Sequence, residues 1–160
     1  MYKFLSLMIT FLLVLIVSAC SNLSGTFEPI DANGVILPAP ANSEIYEQGQ
    51  NIYQTTCASC HGIDGEGQFP DDPMKPDETG RYGAPPHNDD GHTWHHDDDL
   101  ILQIINEGGM GSESTFYPMP AFSETFSDEE KIAVVSYIKT MWNERNLASQ
   151  YRVTEAIKGQ

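Results

Sequence analysis

Two thiols and an imidazole stand together at Cys57-Ala58-Ser59-Cys60-His61. One helical turn sets the thiols against the two vinyl groups of a porphyrin, and the adjoining His61 then points its imidazole at the metal. The pattern reads as covalent c-type haem attachment. Three other chemistries use the same thiols. A thioredoxin-like pair calls for a surrounding βαβ pattern, which the sequence lacks. A zinc site calls for a second pair of ligands, and only His92, His95 and His96 could supply it. A disulfide between Cys57 and Cys60 fits poorly inside a helical turn.

Haem iron takes a sixth ligand, and the candidates are Met74, Met110, Met119 and the histidines 87, 92, 95 and 96. Met119 lies in Tyr117-Pro118-Met119-Pro120-Ala121-Phe122, where two prolines fix φ and stiffen the chain around the thioether. Met110 sits between Gly109 and Gly111 and is poorly held. Any of these methionines could instead fill a gap in a core.

Helices are the elements that would position these groups. Ile45, Gly49, Ile52, Tyr53 and Thr56 recur at helical spacing from Ser43 into the thiol motif. Asp97 can cap a helix striped with Leu100, Ile101, Ile104 and Ile105 and ended by Gly108-Gly109. Ser127 and Glu130 form a capping box that opens a helix expected to run to about Asn143, with Ile132, Val135, Ile138, Met141 and Trp142 inward. No segment alternates with period two, so the expected class is all-α.

Cys57-x-x-Cys60-His61-Gly62, followed by Met119-Pro120-Ala121-Phe122 and a terminal amphipathic helix carrying Tyr137, resembles the class I monohaem cytochromes c of bacterial respiratory and photosynthetic chains. The resemblance covers roughly residues 43–142. It implies three to four main helices wrapped around one covalent haem c, with long irregular loops. It further implies Cys57 and Cys60 as thioether attachments and His61 and Met119 as axial ligands. Gly49, Tyr53 and Tyr137 match the positions where the family packs its first helix against its last.

Between Gly62 and His96 the chain is rich in Gly, Pro and Asp, far longer than an ordinary loop, and is expected to be organised by the cofactor. Gly65 and Gly67 would allow close backbone approach. Gly83-Ala84-Pro85-Pro86 resembles the family segment whose proline carbonyl accepts the proton of the proximal imidazole, with Pro85 the first choice and Pro86 the second. The family usually has an apolar residue where this chain has His87. His92-Thr93-Trp94-His95-His96 admits three readings: a clamp in which Trp94 or a neighbouring histidine donates to a haem carboxylate, an auxiliary metal site, or a polar helix cap.

Lys3 precedes an apolar run to Val17, followed by Ser18-Ala19-Cys20. This reads as a secretory signal over residues 1–19, and Val17-Ser18-Ala19-Cys20 resembles a bacterial lipobox with Cys20 as the lipidated residue. Residues 20–42, with Pro29, Pro38 and Pro40, read as a flexible tether, 43–145 as the cytochrome c domain and 146–160 as a polar tail of undecided conformation. The formal charge is −15, or −16 once Lys3 is removed. Such acidity argues against nucleic acid and for partners with a basic docking face: a membrane oxidoreductase, a terminal oxidase or a reaction centre. The expected function is an exported, membrane-tethered one-electron carrier without enzymatic activity, because two filled axial positions leave the iron no open site. The alternatives are a sensor or metal-handling protein using His92, His95 and His96, or a small haem enzyme with a displaceable distal ligand.

Overall fold

The computed structural model describes residues 27–73, 75–109 and 111–160. The signal segment, Cys20 and the alternative ligands Met74 and Met110 lie outside the described residues.

Helix α1, Glu44–Ile52, starts at Ser43, whose Oγ accepts from the Tyr46 amide at 3.2 Å. Glu44 and Glu47 in its first turn suit the positive end of the helix dipole. The sequence suggests one helix into the thiol motif. Instead Tyr53–Cys57 widens into a π-helical turn before α2, Ala58–His61. Thr55 Oγ1 donates to the Asn51 carbonyl at 2.7 Å, drawing off an acceptor that a regular helix would use. Gly62, at φ +81°, ends the element.

Helix α3, Asp98–Glu107, has the expected cap, with the Asp97 carboxylate accepting from the Leu100 amide at 3.0 Å, and ends at Gly108. Helix α4, Asp128–Ile138, opens with the complete Ser127–Glu130 capping box. It does not reach Asn143. A 3₁₀ turn, Lys139–Met141, leads to an extended Trp142, and Asn143 caps a further helix α5, Glu144–Lys158. Trp142 causes the break: its Nε1 donates to the His87 carbonyl at 2.7 Å, a bond that draws the chain off the helix axis.

Helix α1 packs on α4 at Gly49, where a Cβ would stand 2.2 Å from the Ala133 carbonyl oxygen. Only glycine permits that approach. Tyr46 and Tyr53 close the crossing against Tyr137, with ring centroids 5.3 and 5.5 Å apart. The core beneath includes Ile52, Ile101, Ile105, Val134 and Trp142. Among the described residues there is no strand, only isolated bridges at Ile30–Ile36 and Tyr82–Phe116.

The tether boundary at residue 42 needs correction. Residues 29–39 form a strap, with Val35, Ile36 and Ala39 buried. Ile36 donates its amide to Asp98 Oδ2 at 2.7 Å and accepts from Lys139 Nζ at 2.6 Å, while the Leu37 carbonyl accepts from Ser136. The polar tail is α5 itself, with Gln150 and Thr154 fully buried over the same network. Proline and serine content suggested a free coil, but specific backbone hydrogen bonds hold the strap down.

Candidate cofactor site

Cys57 is half-buried and Cys60 exposed, and both are free thiols. Burial, reinforced by Cys60, pushes the Cys57 thiol up to about 11, so it is protonated at neutral pH. His61, at the end of α2, is buried. Its Nδ1 lies 2.9 Å from the Pro85 carbonyl. A carbonyl only accepts, so Nδ1 carries the proton and donates, and Nε2 keeps the lone pair a metal would use. Burial lowers the His61 pKa, against the opposing pull of Pro85, and favours that neutral form. Of the two prolines considered, Pro85 supplies the carbonyl. The Pro86 carbonyl accepts from Thr93 Oγ1 at 3.3 Å.

The loop that presents Pro85 has organisers of its own, beyond the cofactor the sequence reading relied on. Gly67 donates to the His61 carbonyl at 2.7 Å, and Gly65 accepts from the amides of His87 and Asn88 at 2.7 and 3.0 Å. Gln68 and Ala84 pair through backbone and side chain at 2.9 and 3.0 Å. Gly65 and Gly67 have φ of +72° and +84°, and a Cβ on Gly67 would reach within 2.9 Å of the Pro86 nitrogen. The arch therefore closes by backbone contact, as the glycines suggested. His87, a candidate sixth ligand and a departure from the family pattern in the sequence reading, stacks on His61 with centroids 4.0 Å apart and planes 19° apart.

Met119 is half-buried, and its carbonyl accepts from the Gly109 amide at 3.1 Å. At Gly108, φ +90°, a Cβ would stand 2.6 Å from that carbonyl oxygen, so the paired glycines let the end of α3 approach the methionine segment. A clasp that sequence reasoning missed ties this segment to the acidic loop. Tyr117 donates its hydroxyl to Asp77 Oδ2 at 2.6 Å, Arg81 lies over the Tyr117 ring at 4.2 Å, and Tyr82 exchanges backbone bonds with Thr115 and Tyr117. The hydrogen bonds from Thr79 and Tyr117 hold the Asp77 carboxyl far below the usual carboxylate range. Asp77-x-Thr79 was a readable turn signal, but its long-range partner was not.

Trp94 Nε1 is buried with no hydrogen-bond partner among the described residues. A buried orphan donor is costly and signals a missing acceptor. The neighbouring histidines do not form a second centre: His92 meets His96 edge-on at 5.3 Å and His95 packs against Trp94 at 3.8 Å. Among the described residues no group of three or more His, Cys, Asp or Glu side chains could hold a metal ion. Cys57, Trp94 and Met119 all pack against the same apolar core. Two free thiols one turn apart, an imidazole lone pair, a half-buried thioether and an unpaired donor suited to a carboxylate together fit a haem c.

Comparison with family models gives a match to the model described as Cytochrome c over residues 46–142. No curated protein and no solved structure matches.

Proposed function

The chain belongs to the cytochrome c family, and from that premise we propose that it is a membrane-tethered one-electron carrier of an exported respiratory or photosynthetic chain. The family membership makes it an all-α haem c protein that carries electrons between redox proteins. Bound haem c supplies one-electron exchange at its iron. The remaining roles belong to this chain's side chains. Cys57 and Cys60 hold the group covalently, which retains it outside the cell's interior. His61 ligates through Nε2 while Pro85 fixes its tautomer and ring direction, a bond that also tunes ligand basicity. Met119 would supply a thioether ligand to that iron, its backbone steadied by Gly109 and flanked by Pro118 and Pro120. Trp94 would donate to a haem carboxylate through its orphaned Nε1.

The observation that carries this reading is the His61–Pro85 bond, since it leaves a buried imidazole with one committed nitrogen and one free beside two thiols. Lipidation at Cys20 of a bacterial lipoprotein would tether the domain, and the strap bears on its reach. Roughly nine residues separate Cys20 from Pro29, spanning at most about 30 Å when extended, far less than a tether running to residue 42. The formal charge of −15 suits a basic partner face, with an association rate that falls as salt shortens screening to about 8 Å.

The test is the visible spectrum of exported protein. The ferric form is expected to show sulfur-to-iron charge-transfer absorption that Met119→Ala abolishes. Survival of that band in the variant would overturn Met119 as the ligand. Ready binding of carbon monoxide by the unsubstituted protein would favour an enzyme with a displaceable ligand.

A further inference from the structure

We infer that His87 is a positioning residue for the proximal ligand, a rigid plate whose stacking sets the rotation of the His61 ring. The inference rests on His61 being that ligand, and it concerns what the second imidazole adds.

The plate is fixed on every side. The His87 amide donates to Gly65 and its carbonyl accepts from Trp142 Nε1, each at 2.7 Å, so its backbone cannot swing. Tyr53 meets its ring edge-on, centroids 6.1 Å apart. Its Nδ1 lies 2.9 Å from Thr93 Oγ1. That hydroxyl donates to the Pro86 carbonyl, so within this pair it accepts and His87 Nδ1 donates. Thr93 is itself buried, which fixes the hydroxyl and through it the ring.

Against this plate His61 has two restraints of different kind. The hydrogen bond to Pro85 fixes the direction of Nδ1 but leaves the ring able to rock about the line joining Nδ1 to the carbonyl. A parallel ring 4.0 Å away, tilted by only 19°, resists that rocking, because rotation would drive one imidazole into the other. An aliphatic side chain at position 87 could flex to accommodate it. The stack also has an electrostatic sign: the electron-rich face of an aromatic ring attracts positive charge. The ligand imidazole is more electron-poor when its metal is oxidised, so the plate favours the oxidised state.

The experiment compares the holoprotein with His87→Leu and His87→Phe by electron paramagnetic resonance of the ferric form and by potentiometric titration. His87→Leu is expected to shift or broaden the low-spin g values and to raise the midpoint potential, while His87→Phe, which keeps a flat ring, holds g values near those of the unsubstituted protein. Unchanged g values and potential in His87→Leu would overturn the inference, as would a phenylalanine variant displaced as far as the leucine one. Should His87→Leu fail to fold, the unsubstituted reduced protein decides. Nuclear Overhauser contacts between the two rings support the plate, and their absence rejects it. Failure of the premise has a different signature: a low-spin histidine signal that survives His61→Ala.

Discussion

The attachment site and the network under the strap and α5 are built on different principles. Around His61 the decisive groups are compact in sequence, with Cys57, Cys60 and His61 within five residues across the π-helical turn and α2, and Pro85 and His87 within three. Under the strap, a buried ion pair is assembled from four distant segments. Lys139 Nζ reaches Asp98 Oδ1 at 2.6 Å, Gln150 Oε1 at 2.9 Å and the Ile36 carbonyl at 2.6 Å, so all three ammonium protons are used. Asp98 in turn accepts from Gln150 Nε2 and the Ile36 amide, each at 2.7 Å. The first leaves buried polar atoms, His61 Nε2 and Trp94 Nε1, that fit one cofactor. The second commits its buried polar groups to each other and thereby locks a terminal strap and a terminal helix onto the domain.

The contrast predicts that the two regions fail differently. Asp98→Ala should cause the largest loss of stability, about 3–5 kcal/mol, because it leaves a fully buried ammonium without its counter-charge and an Ile36 amide without an acceptor. Burial already pulls the Lys139 pKa down while Asp98 opposes that pull, so removal of the carboxylate leaves burial unanswered. The visible spectrum of the folded variant should stay as it was. Denaturant unfolding followed by far-ultraviolet dichroism measures the loss; a change under about 1 kcal/mol would show that the network is not what holds the strap. Replacing both partners by apolar residues of similar volume should recover much of it.

The same division governs what could be read from the residues alone. The caps Asp97 and Ser127 are local signals, each with a mechanism confined to a few neighbours, and the structure bears them out, while Gly49 was legible through the family resemblance and meets Ala133 as that implied. The all-α class was legible for the same reason. The strap was misread because nothing in residues 29–39 is periodic; it is held by backbone atoms whose partners, Asp98 and Lys139, lie far along the chain. The extension of α4 to Asn143 failed because Trp142 answers to a carbonyl in the acidic loop. His87 carried a signal, an imidazole where the family resemblance implied an apolar residue, but only coordinates show it stacked on His61.

A middle-sized effect should arise where the attachment site depends on backbone approach. Gly67→Ala places a Cβ within 2.9 Å of the Pro86 nitrogen at φ +84° and should cost about 1–3 kcal/mol. Gly80, at φ +83° with nothing within 4 Å of its Cβ position, is the internal control. Gly80→Ala carries the conformational cost alone, roughly 1 kcal/mol. The two variants separate strain from collision. Only Gly67→Ala should also disturb the ferric spectrum, since Gly67 donates to the His61 carbonyl. Equal destabilisation with equal spectra would mean that the arch behind Pro85 yields without cost.

The smallest effect belongs to the clasp between the acidic loop and the methionine segment, where Asp77 is half-buried and its bonds compete with water. Its carboxyl is held well below the ordinary range by Thr79 and Tyr117, so the folded state resists protonating it more than the unfolded chain does. For a depressed acid, the stabilisation is complete above the unfolded pKa, near 4, and disappears as pH falls through the lower folded value. Asp77→Asn should therefore melt slightly below the unsubstituted protein at neutral pH, with the gap narrowing as the solution is acidified beneath pH 4. A gap for Asp77→Asn that widened on acidification would reverse the sign and remove the carboxylate from the clasp, leaving Arg81 over the Tyr117 ring as the contact that joins the methionine segment to the loop.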